Sequence, residues 1–392
     1  MKMNSDDFII SDNDINTVHD GQNVRITDDG WVRRYLELSR KLLSDSMKNN
    51  EDENLVCSPF SLYMLLETIL LASCGDTYHE ILKIMGDGNN EKQIHAVFSA
   101  FQKCLSETSN LPFLVSSNAI CLREDLMDNV NLAFRQEFQQ TYNGEIFSVD
   151  ENLLDNVNDW VSKRTNGMIP LIFTDIPNEW QMMIMNAVTF QAGWWVHYDD
   201  EDIVQGKFYN DDGMVSNVDM MCSMEYAYIE NDYFTGFQKN YEDCVYSFIA
   251  LLPKKKKSKS FLEHALKQVN FQECARSCVS TMVNVKIPEF ETHTEISLKE
   301  FLLSIGMKEA FDDKNDFGRI VNDRSIKLDN IIQKTAIKVN RIGTEAAAAT
   351  LGVVVAGCAY AEKEVILNRP FIYSIVHEKT GLPVFTGVVS KL

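Results

Sequence analysis

The feature that most limits how this chain can fold is a change in hydrophobic period partway along its 392 residues. In the first half, apolar residues recur at helical spacing in WVRRYLELSRKLLSDSM from Trp31, SLYMLLETILLAS from Ser61 and EKQIHAVFSAFQKCL from Glu91. The same spacing returns in NVNLAFRQEFQQTY from Asn129 and LDNVNDWVSKRT from Leu154. The later segments MMIMNAVTFQAGWW, VYSFIALLP, TMVNVKIPEF, DNIIQKTAIKVN, EVILNRPFIYSIVHE and LPVFTGVVSKL are short, β-branched or aromatic, and punctuated by Gly, Pro or Asn. Helices first and strands later predict an α+β fold with largely antiparallel sheets rather than βαβ repeats. No repeat or linker divides residues 30–392, so a single domain is expected there, preceded by an acidic, Asn-rich, aperiodic extension over residues 1–29.

Charge narrows the partners. Thirty-seven Lys and Arg against 57 Asp and Glu leave a net charge of −20, which repels nucleic-acid phosphates and anionic membrane surfaces. Neither partner is expected. A spanning helix needs about 20 apolar residues, and the longest uncharged apolar stretch, Ala346 to Ala361, falls short and contains Thr350 and two glycines. Nine cysteines (57, 74, 104, 121, 222, 244, 274, 278 and 358) are odd in number and lack metal-ligand spacing. Neither a disulfide framework nor a metal or other cofactor is expected. Free thiols fit a reducing compartment, and the start offers only Phe8, Ile9 and Ile10 where an export signal needs a longer apolar run. By sequence the location reads as intracellular, with an extracellular one left open by function. The run Lys254 to Lys257 reads as a solvated loop rather than a polyanion site.

One segment fits neither period comfortably. Gly343 to Thr350 reads GTEAAAAT and is followed by LGVVVAGCAYAEKEV and NRPF. Thr344 could cap an Ala-rich helix. Strand-like sequence flanks it, however, and the β-branched triplet Val353 to Val355 would end such a helix after about two turns, which is marginal without packing. The second reading is a strand in waiting. Taken by twos, Thr344, Ala346, Ala348, Thr350, Gly352 and Val354 are all small or β-branched and all uncharged. Such a face can enter between two strands and over a packed core, with Glu345 left in water on the other face. The same residues carry little strain as an exposed loop, so both states are accessible.

From Trp31 to the C-terminus the chain resembles a serpin of the inhibitory type. GTEAAAAT resembles the family's hinge, and VILNRPFIYSIVHEKTGLPVFTG the segment after its reactive loop, with Asn368, Arg369, Pro370 and Phe371 matching. NLVCSPFSLYMLLETILLASCGDT resembles the motif at the second helix through Ser58, Pro59, Ser61 and Gly75 to Thr77. VNDWVSKRTNGMI matches through Asn158, Trp160, Thr165, Asn166 and Gly167, and NAVTFQAGW carries Asn186 and Trp194. IALLP, IPEF and SIGMKEAF match later landmarks.

The resemblance implies a serpin fold: three β-sheets with a large five-stranded central sheet, eight to nine helices and an exposed reactive centre loop at about residues 341–364. It implies a hinge from Gly343 through Thr344, Glu345, Ala346, Ala347, Ala348 and Ala349 to Thr350. It also implies a shutter and breach built from Ser58, Ser61, Asn186, Trp194 and Gln333. A target serine protease would cut the loop, form an acyl-enzyme, and be held covalently when the hinge inserts and its catalytic groups are distorted. The chain would supply no nucleophile or base and would not be an enzyme. Family spacing places the cut at Gly357–Cys358, or one residue later between Cys358 and Ala359. With Ala356 these are small and neutral, and no Arg or Lys occurs from Gly343 to Glu362. The expected targets are elastase-like or subtilisin-like serine proteases rather than trypsin-like ones. A monomer is expected.

Each residue has a plainer role open to it. Ser58 and Ser61 also suit a buried helix start, Asn186 must be hydrogen-bonded wherever it is buried, and Trp194 suits a core. Cys358 is a reactive thiol, a scissile-bond residue, or merely small. Two departures from the family pattern stand out. Arg341 and Ile342 occupy positions where inhibitory hinges carry acids, and Gln333 one where many members carry histidine, so no histidine pH switch is expected there. The helix from Glu91 to Cys104 lacks a basic face, so heparin is not an expected partner. Rival readings are a non-inhibitory carrier or chaperone on the same fold, an inhibitor of cysteine proteases, and an enzyme. The last lacks any GxSxG, HExxH, P-loop or dinucleotide fingerprint.

Overall fold

A computed structural model describes residues 29–49, 54–86, 88–106, 114–175, 180–242, 244–254, 266–312, 316–321, 326–344 and 361–392. The expected hinge residues Glu345, Ala346, Ala347, Ala348, Ala349 and Thr350, and the expected reactive-bond residues Ala356, Gly357, Cys358 and Ala359, lie outside the described residues, as does nearly all of the N-terminal extension.

Helix α1 (Asp29–Asn49) leads into β1 (Leu55–Cys57), α2 (Pro59–Ala72), α3 (Gly75–Gly86) and α4 (Glu91–Ser106). Then come β2 (Leu114–Arg123), α5 (Leu132–Tyr142), β3 (Gly144–Val149), α6 (Leu153–Arg164), β4 (Met182–Phe190) and its short continuation β5 (Ala192–Gly193). Strands β6 (Ile203–Tyr209), β7 (Val215–Glu230), β8 (Phe234–Asn240) and β9 (Tyr246–Pro253) precede α7 (Phe271–Arg276), β10 (Val279–Pro288), β11 (Phe290–Ser297) and α8 (Lys299–Ser304). The chain closes with β12 (Asn330–Val339), β13 (Gly343–Thr344), β14 (Lys363–Ile366), β15 (Phe371–His377) and β16 (Pro383–Val389).

The central sheet has five long strands in the order β3-β2-β4-β12-β11, with β13 and β5 added at one end. Strand β4 is buried along its whole length because both of its faces are covered. Met182, Ile184, Val188 and Phe190 join the main core, which α2 also enters; Met183, Met185 and Ala187 join a second cluster with Val157 and Trp160 of α6. The period of two expected of MMIMNAVTF therefore sorts its residues between two cores. Its neighbours differ in direction: β2 pairs antiparallel to it and β12 parallel. The sheet is thus mixed, because β4 and β12 come from distant parts of the chain rather than from a hairpin.

Among the described residues the remaining strands hydrogen-bond into one nine-stranded sheet, β1-β16-β15-β9-β8-β7-β10-β14 with β6 on β7. The resemblance implies a second and a third sheet here, and they join through β7. That strand, 16 residues long, pairs with β6 and β10 over most of its length and with β8 at its end.

Candidate functional site

The described start of the expected hinge, Gly343–Thr344, is a strand. Thr344 pairs antiparallel with Val339 of β12 on one side and Ala192 of β5 on the other, so β13 sits between the continuations of the two central strands. Gly343 lies so close to β5 that a Cβ there would stand 2.1 Å from the Ala192 carbonyl oxygen. Only glycine fits that approach. Thr344 is fully buried, and its hydroxyl lies 2.7 Å from the Tyr241 hydroxyl.

Around this rung is an aromatic and ionic cluster that contains the expected breach residue Trp194. Trp194 stacks on Tyr241 at 4.7 Å between ring centroids, and its indole N–H donates to the Asn340 carbonyl at 2.9 Å. Its backbone N–H donates to the Ile342 carbonyl at 3.0 Å. Lys239, buried, places Nζ 5.5 Å from the centre of the Trp194 ring and 4.8 Å from that of Tyr198, and pairs with Glu225 at 2.7 Å. Burial works against that charge, but Tyr198 and Glu225 outweigh it and hold the lysine above its ordinary pKa. Arg341 turns outward: its guanidinium reaches Asp200 at 2.5 Å and Glu289 at 3.8 Å, and its backbone N–H donates to Glu289 at 3.1 Å. The cation at position 341, where the resemblance led an acid to be expected, is thus paired with two acids.

Further along the same two strands lies a neutral network. Ser58 caps α2, its Oγ accepting from the Ser61 N–H at 3.1 Å and donating to the Val384 carbonyl at 2.8 Å, with Pro59 in the first turn. Gln333 donates to the Ser58 carbonyl at 3.1 Å and to Ser61 Oγ at 2.9 Å, and its Oε1 accepts from the Ser58 N–H at 3.2 Å. Ser61 Oγ in turn donates to Asn186 Oδ1. Asn186 Nδ2 donates to Ser116 Oγ and Asn118 Oδ1, both at 2.8 Å, and Asn118 donates to the Tyr142 carbonyl at 2.9 Å. One hydroxyl, that of Ser61, therefore bridges β12 to β4. Ser58, Ser61, Asn118, Asn186 and Gln333 are all fully buried, so every one of these bonds replaces water.

The sheet register makes this cluster compact. Asn118, Asn186 and Gln333 are direct neighbours across β2, β4 and β12. The structure brings Ser58, Ser61, Asn186 and Gln333 together at one place and puts Trp194 at another, beside Thr344. Capping and bridging turn out to be compatible in Ser58. Sequence reasoning missed Ser116, Asn118, Tyr142 and Tyr241. The polar run SSN inside VSSNAICL was the available signal for the first two.

Eight cysteines lie among the described residues, with no disulfide between any two of them. Among the described residues no group of three or more His, Cys, Asp and Glu is arranged to hold a metal, and no helix is long and apolar enough to cross a membrane.

The family model described as "Serpin (serine protease inhibitor)" matches residues 34–392. Antichymotrypsin-2 of Bombyx mori is 27% identical over 358 residues, covering 89% of this chain and 94% of that protein. The native state of tengpin, a thermophilic serpin, superposes with a TM-score of 0.83 at 28% identity, covering 95% of this chain and 96% of that one. Thyroxine-binding globulin in complex with thyroxine shares the fold, with a TM-score of 0.77 at 22% identity over 92% of this chain and 98% of that one.

Proposed function

The chain belongs to the serpin family, and from that premise we propose that it is a suicide-substrate inhibitor of serine proteases whose cut loop becomes a new strand between β4 and β12. The observation that carries this reading is the double pairing of Thr344. Because β13 runs antiparallel to both neighbours, each residue further along the loop moves one residue back along β5 and β4 and one back along β12. Six residues on, Thr350 would stand between Asn186 and Gln333, which already pair with each other. The two edges give the same answer independently.

In this register Ala346 would lie between Phe190 and Ile337, Ala348 between Val188 and Thr335, and Gly352 between Ile184 and Ile331. All of these faced positions are closed to solvent, so small residues are required. Val354 would arrive opposite Met182, the first residue of β4. Gly357 would then lie three residues beyond it, carrying the acylated protease to the far end of the sheet. Thr344 to Gly357 spans on the order of 45 Å as a strand. On the opposite face Glu345 would meet Gln191 and half-exposed Lys338, a charge match, while residues further along would meet the surface covered by α6 rather than water.

The chemistry belongs to the protease. Its serine oxygen bonds to the carbonyl carbon of Gly357, the bond to Cys358 breaks, and the leaving amine takes the serine proton through the protease's base. Insertion exchanges one parallel ladder, β4 to β12, for two antiparallel ones. If this outruns deacylation, the ester is carried away from intact catalytic geometry. The inhibitor supplies no catalytic group. Small neutral residues around the cut favour elastase-like or subtilisin-like targets.

The test is incubation with neutrophil elastase, pancreatic elastase, subtilisin, trypsin and a papain-type cysteine protease, followed by denaturing electrophoresis and mass spectrometry of the released peptide. A covalent complex with at least one of the first three, and a peptide starting at Cys358 or Ala359, is the expected result. Cleavage without any complex would leave a non-inhibitory carrier or chaperone as the better reading, and a complex with the cysteine protease alone would move the target class.

A further inference from the structure

The hydrogen bonds at the Ser61 bridge do not stop at the sheet. Asn118 ends on the carbonyl of Tyr142, the last residue of α5, and the hydroxyl of the same Tyr142 donates to Glu67 Oε2 at 3.1 Å. Glu67 sits on α2, the helix that begins with Ser58 and Ser61, and its side chain is only 2% exposed. Its other oxygen, Oε1, is buried with no hydrogen-bond partner among the described residues. A carboxylate in such surroundings needs a counter-charge. Among the described residues the one salt-bridge partner within reach is His95 of α4, whose Nδ1 lies 3.2 Å from Oε2 and whose side chain is 44% exposed.

We propose that Glu67 and His95 form a titratable support behind the Asn118–Asn186–Ser61 network, tightening it when the imidazole is protonated and loosening it when it is not. Glu67 and His95 are positioning residues: they touch neither the loop nor a protease, and act through Tyr142 and Asn118. This rests on the inhibitory reading above for its functional consequence, the ease with which β4 and β12 part.

The surroundings support the direction of the effect. His95 is held above its ordinary pKa, first by its hydrogen bond to Glu67, against partial burial, and further by the charges of Glu67, of Glu137 on α5 and of Glu91 on its own helix. Glu91 also accepts from the Tyr78 hydroxyl at 2.8 Å and pairs with Arg319 at 3.2 Å. Tyr142 and Tyr63 are both raised, chiefly by burial, with Glu67 adding to it, so Tyr142 remains a donor throughout the neutral range. For a histidine whose pKa is higher folded than unfolded, the stabilisation is complete below the unfolded value, about 6.5. It is lost as pH rises through the folded value. The network is therefore firmest on the acid side and easiest to open on the alkaline side. Gln333, which stands where many relatives carry histidine, cannot supply this response, and His377 cannot either, since burial pushes it down to about 4.

The experiment compares the full chain with His95→Gln and Glu67→Gln from pH 5.5 to 8.5. The melting temperature of the uncleaved protein and the rate at which it loses trapping activity on warming are both followed. The native chain should lose about 2 °C across the range and convert roughly threefold faster at its alkaline end; both variants should have flat profiles. His95 is half-exposed, so His95→Gln keeps the test alive if Glu67→Gln does not fold. A native slope that persists in His95→Gln overturns the proposal. A native chain that traps no protease at any pH would instead remove the inhibitory reading, while the melting profiles would still judge the support.

Discussion

The proposed breach and the proposed shutter hold the same pair of strands by different chemistry. At the breach, Thr344 occupies the gap between β12 and β5, and the closure around it is an aromatic stack with charges at its rim, Trp194 on Tyr241, Lys239 with Glu225, and Arg341 with Asp200 and Glu289. At the shutter, β4 and β12 pair directly, and neutral side chains on α2 and the strands satisfy one another in full burial. Under the proposed inhibitory reading, the difference teaches where insertion would start and what it would have to undo. At the breach Thr344 already has its partners, so the next residue would add to a formed edge. At the shutter an incoming strand would have to break the Ser61 bridge and offer a replacement, and in the register set by Thr344 the residue arriving there would be Thr350, which would bring a hydroxyl.

The sharpest way to break this contrast is at its breach end. Thr344→Arg should leave loop cleavage intact but cut the covalently trapped fraction at least tenfold on a denaturing gel. A buried unpaired cation costs several kcal/mol, and at the fully buried Thr344 position that charge would unseat β13, the rung from which insertion would continue. Efficient trapping by this variant would contradict the breach half of the account.

Asn186→Ala strikes the shutter instead. It removes the acceptor of Ser61 and the donor to Ser116 and Asn118, leaving buried groups unsatisfied at a cost of about 3 kcal/mol. The uncleaved protein should melt several degrees lower and convert to an inactive form faster, while trapping measured at once on fresh protein persists. An unchanged melting temperature would mean that the network does not close the sheet.

Thr350→Ala separates the two states. The intact protein should melt unchanged, and the cleaved form should lose about 1 kcal/mol, the worth of one buried hydrogen bond. The neighbours of Thr350 on the same strand face, Ala348 and Gly352, carry no hydroxyl that could take its place, so a null result in the cleaved form would shift the register. The smallest effect is expected from Arg341→Glu, which sets a third acid beside Asp200 and Glu289. These are surface pairs worth up to about 1 kcal/mol, so trapping should slow modestly and recover at high salt.

Much of this architecture was legible from periodicity. The five helical patterns became α1, α2, α4, α5 and α6, and MMIMNAVTF, VYSFIALLP and DNIIQKTAIKVN became β4, β9 and β12. Helix α3, GDTYHEILKIMG, was not read, although Ile81, Ile84 and Met85 line its buried side. Strands β2 and β3 were hidden in the helical half because they are set among helices: they pair with each other across the intervening α5, and β2 pairs onward with the later β4. The expected hinge rests on local information, alternate small residues that describe one strand face, and only Gly343 and Thr344 of it lie among the described residues. The polar cluster around the expected shutter residues was only partly readable because its information is long-range. Ser61, Asn118, Asn186 and Gln333 become one site only when four separate segments are set side by side, and nothing near Glu67 in sequence announces His95 or Tyr142 as its partners. Asp200 and Glu289, the acids that pair with Arg341, are equally distant in sequence.

The central claim, that the loop gains a place between β4 and β12 once it is cut, is tested most directly by the melting temperature before and after nicking the loop with a protease that is then removed. About ten new residues in a strand bonded on both sides, each worth about 1 kcal/mol, should raise the transition by on the order of 20 °C. A nicked protein that melts at or below the temperature of the intact one would contradict the account.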